Sequence, residues 1–507
     1  MLIMRKIKDI FYSVLVAVLL TFSLTSCLDQ FPTEAFPEEE SMLTLSDAEQ
    51  TLTGIYSLFK SSALYGGYLT LCPDIQSDLA YAVTGNSNIY GNIWQWDILS
   101  TSSEIEAVYG ALYKVIGFCN FYLEKVDALR ATLVIDEEIE HLDIYTGEVY
   151  CARALAYSEL LKLYCKAYDP ATAENELGVV LVTKWTEPEE AVRASLKESY
   201  EFVVSDLEKA QELLDSDYDM YSSYYLTKAA AQALRARVAL YMQDWDNAIK
   251  YSSEIIDSEA KMFQLADARS QYTSDMTYLD YMWAYDVAYE IIWRVGYTPT
   301  SYGGALGQVF LNFTSDYTYY YPDYIPAQWV LNLYDSSDGR LGAYFATLQT
   351  GYSSGLSLTL LTKYYGNQTL IGSNLYHLSM PKVFRLSEQY LIRAEAYCMK
   401  GDYSKASADL TTLRNSRCTT NGTVAISADN YLEVISNERV KELYMEGFRL
   451  HDLKRWNMGF ERTLQTGAQP EGSSLKVNKD NALFVWPIPK HEIEAPGSQI
   501  QPNDSNK

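Results

Sequence analysis

Three glutamates, Glu438, Glu442 and Glu446, stand four residues apart in the segment NERVKELYMEGFRLHDLKRW at 437–456. On an α-helix this spacing places the three carboxylates on one line, where like charges repel each other if the helix is solvated. Apolar residues recur at helical spacing in the same segment. The pattern therefore predicts a packed helix whose glutamates belong to a fixed ion-pair network. The nearest basic partners in the sequence are Arg439, Arg449, Lys454 and Arg455.

The start of the chain has the organisation of an export signal. Basic residues precede an apolar run at 10–20, which is shorter than the roughly 20 residues that span a bilayer. The run ends in Leu-Thr-Ser-Cys, which looks like a bacterial lipobox with Cys27 as the acylated residue; an ordinary signal peptide with a chance cysteine is the alternative. We expect a lipoprotein signal peptide at 1–26, then acylated Cys27 and an extended acidic tether at 27–45. Acyl chains on Cys27 would anchor the body to a membrane.

The chain is strongly acidic. Its 66 Asp and Glu against 40 Lys and Arg give a formal net charge of −26 at pH 7. Because the electric field of such a negative charge repels polyanions, we expect no nucleic-acid partner. The charge does not argue against a neutral ligand. Six cysteines besides Cys27 permit disulfides in an exported protein without fixing their pairing. Buried free thiols are the simpler interpretation of the four on helical patterns, which are Cys119, Cys151, Cys165 and Cys398.

Helical periodicity covers most of the chain. The segment 262–382 interrupts it and contains a plausible strand at 289–295. Three Ser-x-x-Glu capping boxes open helices, at Ser46/Glu49, Ser103/Glu106 and Ser195/Glu198. We expect helices at about 46–60, 103–128, 146–167, 195–214, 228–242, 244–258, 386–399, 403–416 and 429–446.

Two regions resemble each other as repeats. Residues 236–248 can be laid over 394–406 without a gap, and each reads as a helix with small residues, a tight turn, an aromatic and a second helix. That is the pattern of a tetratricopeptide repeat, although generic amphipathic helices are the alternative. We predict a mostly α fold in which a tetratricopeptide-like helical scaffold, at about 46–258 and 386–457, carries long inserted loops at about 262–382 and a few short strands.

The sequence carries no catalytic constellation. Its four histidines are not paired at metal-ligand spacing, and no HExxH, GxSxG or phosphate-loop pattern occurs. Carboxylates are abundant, but nothing singles out a glycosidase-like acid pair. We therefore expect no enzyme activity and no cofactor. An acidic loop that binds a structural calcium ion is an alternative, although the sequence contains no EF-hand loop.

Binding is the better hypothesis, because the chain contains 44 tyrosines and nine tryptophans. These side chains offer an apolar face and a polar tip, which suits sugars and peptides. The first candidates are Trp94 and Trp96, which follow the Gly/Asn-rich run at 84–92, with Asn92 as a hydrogen-bonding group. Alternation around Gln95 would expose only one ring if the segment is extended. Burial of both rings under the loop is the alternative.

The second group of candidates lies in the inserted region. Consecutive tyrosines cannot all point into a core, so at least one of Tyr319–Tyr321 should be exposed. The candidates in this group are Tyr297, Tyr302, Tyr319 and Tyr320.

The segment at 437–456 is similar to the C-terminal signature of the SusD/RagB family of nutrient-binding outer-membrane lipoproteins. RLSEQYLIRAEAY at 385–397, DLTTLRNSR at 409–417, LYDSSDGR at 333–340 and WPIP near the end are similar to other motifs of that family. One departure is His451, where members often carry an aromatic residue. The resemblance covers nearly all of the chain after Cys27.

The resemblance implies a single SusD-like domain at 46–507 with four tetratricopeptide-like units. It also implies a position on the outer face of the outer membrane, over a SusC-like TonB-dependent transporter that receives the captured nutrient. Family ligand aromatics come from broadly the two regions named above. A glycan or oligosaccharide is the expected ligand. An oligopeptide, as in a RagB-like member, is one alternative, and a structural adaptor without a small ligand is another.

Overall fold

The computed structural model describes residues 41–185, 190–313, 318–352, 356–420, 422–465 and 476–507. The expected signal peptide, Cys27 and most of the tether therefore lie outside the described residues. Within the described parts, no helix combines the length and the apolar character that a membrane crossing needs.

The described part of the chain forms eighteen α-helices and twelve short strands. The helices are α1 Leu45–Phe59, α2 Tyr68–Ile75, α3 Gly91–Gln95, α4 Ser103–Arg130, α5 Asp136–Tyr164, α6 Leu196–Leu213, α7 Lys228–Tyr241, α8 Trp245–Ile256, α9 Tyr278–Tyr285, α10 Gln308–Leu311, α11 Gln328–Leu331, α12 Arg340–Tyr344, α13 Gln368–Ile371, α14 Leu386–Met399, α15 Tyr403–Asn415, α16 Tyr431–Glu442, α17 Arg449–Arg455 and α18 Lys490–Glu494. The strands are β1 Ala80–Ala82, β2 Leu177–Val180, β3 Arg193–Ser195, β4 Gln271–Thr273, β5 Met276–Thr277, β6 Ile291–Arg294, β7 Tyr324–Pro326, β8 Phe345–Gln349, β9 Ser357–Leu361, β10 Lys382–Arg385, β11 Phe460–Glu461 and β12 Lys476–Val477.

The strands pair only two by two, always antiparallel: β1 with β7, β2 with β3, β4 with β5, β6 with β10, β8 with β9, and β11 with β12. The β8–β9 hairpin keeps a continuous register from Phe345 opposite Leu361 to Gln349 opposite Ser357. Long helices dominate up to Ile256 and return from Leu386, whereas no helix described between these points exceeds the eight residues of α9. The predicted mostly α fold with few short strands is confirmed.

Nine of the helices lie where periodicity predicts them, with two notable shifts. Helix α5 begins ten residues before the predicted start, and α16 ends at Glu442 rather than 446. The end of α16 follows from the left-handed backbone of Met445 and Gly447, at φ of +57° and +85°.

The capping boxes were predicted less well than the helices. The box of Ser195 and Glu198 is confirmed. At α1 the box is formed by Thr44 and Asp47 instead of the predicted pair, and at α4 the N-cap residue makes no side-chain cap bond. Both other predicted boxes are therefore wrong, because the N-cap of α1 lies two residues before the predicted Ser46 and that of α4 lies one residue before the predicted Ser103.

The two sequence repeats adopt the same turn. Helices α7 and α8 are joined through Gln243 at φ +60°, and α14 and α15 through Gly401 at φ +78°. In each turn the next residue, Asp244 or Asp402, caps the second helix by accepting from a backbone N–H three residues on. Small residues of α7, α8 and α14 pack in one cluster, among them Ala236, Ala248 and Ala396. The paired helices therefore share the predicted tetratricopeptide-like construction.

The glutamate line is the centre of a buried ion-pair network. Glu442 is inaccessible to solvent and accepts hydrogen bonds from Arg340 and Arg385 at 2.9 Å each, and from Arg417 at 2.8 Å. Burial alone would raise the pKa of Glu442, but these guanidinium groups outweigh burial and hold the pKa well below its usual value. Glu290 joins the same cluster through Arg385 and Arg417.

The flanking glutamates extend the network in both directions. Glu438 lies 2.8 Å from Arg340, and Glu446 lies 2.6 Å from Lys363. With Asp338 and Lys441 included, five buried carboxylates face five buried cations, so the buried charge is balanced. Partly exposed Arg414 lies 3.8 Å from Glu438 at the edge of the network. The predicted network is confirmed, and it ties the inserted region to the late helices.

The predicted partners of the glutamates are wrong. Arg439 binds Asp452, Arg449 binds Asp78, and Arg455 binds Glu395 and Asp452. Lys454 donates to the backbone carbonyls of residues 162 and 165. Position 439 is adjacent to a glutamate in sequence and hence lies on another side of α16. Arg449, Lys454 and Arg455 come after the left-handed turn that ends the helix, so they lie in a different part of the core.

The described cysteines are all unpaired and buried, as expected for core thiols. Burial raises the pKa of the Cys119 thiol above its ordinary value, which disfavours the reactive thiolate.

We predict that Glu442→Gln lowers the free energy of unfolding by about 3–5 kcal/mol, because it removes one charge from a buried, fully paired network. Urea unfolding measures this change. Glu461→Gln is the matched control, since Glu461 forms an exposed pair with Lys476 and should change stability by less than about 1 kcal/mol. Equal effects of the two substitutions would contradict a structural role for the network.

Buried Glu148 gives a prediction about how stability depends on pH. Burial raises its pKa to about 8, although the hydrogen bond from the Tyr56 hydroxyl acts against burial. The folded protein therefore keeps a proton that the unfolded chain releases near pH 4.5, and stability falls as pH rises between these values, by about 1.4 kcal/mol per unit for this group. We expect Glu148→Gln to flatten that fall between pH 5 and 8 in urea titrations. An unchanged pH slope would refute this assignment.

Candidate ligand-binding site

The first predicted aromatic pair is part of the core. Trp94 is fully buried, and its indole N–H donates to the carbonyl of Ala80 at 3.2 Å. The indole N–H of Trp96 donates to the carbonyl of Gln76 at 2.7 Å, and its ring packs against Phe484 at 5.0 Å between centroids. The expectation that one of these rings is exposed for stacking is therefore wrong.

The reason lies in the local backbone. The segment forms the short helix α3 instead of an extended loop, and Trp96 ends it in the left-handed conformation. The two rings therefore do not alternate, and each finds a buried carbonyl for its N–H. Asn92 is exposed on α3 and is the only member of this group that a ligand can reach.

The tyrosines of the second predicted group differ in their exposure to solvent. Tyr297 is buried in the main core, so its predicted contact with a ligand is also wrong; the segment after β6 packs inward instead of forming an open loop. Tyr302 is 48% exposed. Tyr319 and Tyr320 are partly exposed, and so is Tyr321.

Tyr320 is held at the edge of the β8–β9 hairpin. Its N–H donates to the carbonyl of Gln349 at 3.1 Å, and its carbonyl accepts from the N–H of Gly351 at 3.0 Å. Its hydroxyl is hydrogen-bonded with that of Tyr365, and burial, followed by this bond, raises the pKa of Tyr320 to about 12. The phenol therefore stays neutral and can donate to a ligand at any physiological pH.

Phe313 connects Tyr320 with a third ring. The Phe313 centroid lies 6.5 Å from that of Tyr320 and 5.5 Å from that of Tyr376, both edge to face. We call Phe313, Tyr320, Tyr365 and Tyr376 the aromatic platform. Each of its rings is at least partly exposed.

The platform is neutral at its base. His377 packs against Phe313 at 4.8 Å between centroids, and burial lowers the pKa of His377 to about 4. The imidazole is therefore uncharged near neutrality. Flat apolar faces with hydroxyl tips suit the alternating C–H faces and hydroxyl groups of a sugar ring.

Sequence reasoning found Tyr320 but missed Phe313, Tyr365 and Tyr376. Phe313 and Tyr320 lie roughly fifty positions before Tyr365 and Tyr376, and only the fold of the inserted region brings the two pairs together. Their sole signal in the sequence is the abundance of aromatic residues. Among the described residues, no group of three or more His, Cys, Asp or Glu side chains is placed to hold a metal ion.

The fold and the two ends of the chain agree with one family of proteins. A profile described as "SusD family" matches residues 356–503, and one described as "Starch-binding associating with outer membrane" matches residues 28–240. "SusD-like protein P2" of Formosa agariphila is 23% identical over 533 aligned positions, which cover 99% of each chain. "SusD-like protein P25" of the same organism is 27% identical over 55% of this chain and 52% of its own.

Solved structures agree with this comparison. A SusD superfamily protein of Bacteroides thetaiotaomicron superposes with a TM-score of 0.78 at 25% identity, over 91% of this chain and 99% of its own. The fold of "Surface glycan-binding protein A" of Bacteroides fluxus is also similar, with a TM-score of 0.68 at 18% identity, over 90% of this chain and 99% of its own. The two profiles match more than two thirds of the chain between them, and with these relatives they show that the chain belongs to the SusD-like family.

Proposed function

We propose that this protein is a surface lipoprotein of the outer membrane that binds a nutrient glycan and delivers it to a partner SusC-like TonB-dependent transporter. The observation that carries the proposal is the aromatic platform, whose partly exposed rings and hydroxyl groups offer what a sugar surface requires. The names of the relatives support the ligand class, since they include a glycan-binding protein and a starch-binding family. No catalytic step is part of the proposal.

The route to the membrane is the second part of the proposal. Residues 1–26 act as a lipoprotein signal peptide, Cys27 carries the acyl chains, and residues 27–45 act as a tether for the single domain at 46–507. The family description associates its members with the outer membrane. Since acyl chains supply the anchor, the helical body needs no membrane-spanning segment.

We expect the double substitution Tyr320→Ala/Tyr365→Ala to weaken glycan binding at least tenfold, or about 1.4 kcal/mol, because it removes two faces of the platform. Isothermal titration of the purified protein against a panel of neutral polysaccharides measures the change. Tyr218→Ala is the matched control, since Tyr218 is 45% exposed but lies outside the platform.

Two results would overturn the glycan assignment. One is full affinity of the double variant for every glycan that the unsubstituted protein binds. The other is the absence of glycan binding together with tight binding of oligopeptides, which would favour a RagB-like peptide receptor. Equal melting temperatures of the variants ensure that a loss of binding does not reflect unfolding.

We expect Cys27→Ala to move the protein from the outer-membrane fraction to the soluble fraction of its native host, because the acylated side chain is removed. Ser26→Ala should leave the protein anchored, since it keeps a small residue before the cysteine. Fractionation of cells measures the anchoring. Purification of the anchored protein from detergent-solubilised membranes measures whether the transporter is bound to it. An anchored Cys27→Ala protein would refute lipidation, and the absence of a transporter from the purified anchored protein would refute the partnership.

A further inference from the structure

A second aromatic surface shares no residue with the platform. Between α9, the β4–β5 hairpin and the segment before β6 is a cleft of about 440 Å³, a size typical of sites for small organic ligands. Five tyrosines line it, and we call them and the space between them the tyrosine cleft. They are Tyr221, Tyr272, Tyr278, Tyr281 and Tyr289.

The cleft has two aromatic walls. On one side Tyr281 packs between Tyr272 and Tyr285, with centroids 3.9 Å and 4.8 Å apart and planes inclined by 33° and 26°. On the other side Tyr221 packs against Tyr289 at 4.2 Å. These rings hold each other in place, so little conformational freedom remains for a ligand to remove.

The walls expose more aromatic surface than a core contact would. Tyr272, Tyr278 and Tyr289 are 47%, 43% and 49% exposed. Four of the nine tyrosines that are exposed in the described parts of the chain line this one cleft. A contiguous exposed apolar patch of this kind marks a binding surface more often than single exposed residues do.

The polar groups of the cleft select the type of ligand. The Asp267 carboxylate and the Gln264 amide lie among the lining residues. Burial would raise the pKa of Asp267, but hydrogen bonds from Arg269 and Ser270 keep that pKa below its usual value, so Asp267 is charged. The described residues that line the cleft include no lysine, arginine or histidine. Arg269 and Ser270 already donate to both oxygens of Asp267, so the Asp267–Arg269 pair has no net charge and the Gln264 amide and the Ser270 hydroxyl are left to bind sugar hydroxyls. Because the lining offers an anionic ligand no cation to pair with, it favours a neutral oligosaccharide.

We propose that the tyrosine cleft is a second carbohydrate site, which binds a short neutral oligosaccharide between its two aromatic walls. The inference rests on the proposed function for the class of ligand, but it depends on a set of residues that the platform does not share. A proline-rich peptide also fits between aromatic side chains. The Gln264 amide and the Ser270 hydroxyl in the lining favour the sugar, since they match a ligand that is rich in hydroxyl groups.

The test compares the two sites in one set of full-length proteins. Isothermal titration with neutral tetrasaccharides of different sugars is carried out on the unsubstituted protein, Tyr272→Ala/Tyr289→Ala, Tyr320→Ala/Tyr365→Ala and the combined variant. We expect the platform variant to retain binding of a tetrasaccharide, and the added cleft substitutions to weaken that remaining binding at least tenfold. A uronic-acid tetrasaccharide should bind the cleft at least tenfold more weakly than its neutral counterpart.

Control variants distinguish a loss of ring stacking on the ligand from a loss of folding. Tyr272→Phe/Tyr289→Phe keeps the ring faces and should retain binding within about threefold, or about 0.7 kcal/mol. Equal melting temperatures of the alanine and phenylalanine variants exclude unfolding as the cause of a loss.

The outcomes distinguish this inference from the proposed function. Cleft substitutions that leave tetrasaccharide binding unchanged in both backgrounds would overturn the second site, whatever the platform does. Loss of binding through the cleft substitutions alone, with an unaffected platform variant, would support the cleft and refute the platform. Binding of proline-rich peptides but of no tetrasaccharide at the cleft would overturn its assignment to carbohydrate.

Discussion

The contact of Glu442 with three arginines is the interaction on which the rest of the structure depends. Arg340 comes from the inserted region, Arg385 from the end of β10, and Arg417 from the segment after α15. Four distant parts of the chain therefore meet at one carboxylate. Charges buried this deeply are costly to desolvate, and they are tolerated only when each is paired and hydrogen-bonded. The balance of five carboxylates and five cations meets this condition.

The same network fixes the surface that we assign to the ligand. The β8–β9 hairpin begins directly after α12, which contains Arg340, and ends two residues before Lys363. Lys363 donates to Glu446 at 2.6 Å and to the carbonyl of Tyr444 at 2.8 Å, so both ends of the hairpin are attached to the core. Tyr320 extends the hairpin edge and Tyr365 follows its second end. A rigid, charged interior thus holds neutral aromatic groups at the surface, where loops alone would position them less precisely.

The sequence predicted the parts of the fold that depend on local pattern. Helices with strong periodicity, the paired repeats and the need for a buried ion-pair network all follow from spacing. The partners of the glutamates could not be predicted, because they come from residues distant in sequence and because the helix stops at Glu442. The Gly/Asn-rich composition before Trp94 and Trp96 indicated an open loop. Instead, the two residues lie on a short helical turn, and both rings are buried with their N–H groups bound to backbone carbonyls. Phe313 and Tyr365 carry no local signal, since only tertiary contacts define the platform.

Hydrogen exchange of the backbone amides, with and without a saturating neutral glycan, tests the central claim most directly, because it locates the ligand on the scaffold without any substitution. We expect slower exchange at 318–321 and at 362–378, which contain Tyr320, Tyr365 and Tyr376 of the platform, and unchanged exchange along α16, whose ion pairs are structural. A glycan that binds without slowing exchange in either platform segment would contradict the account.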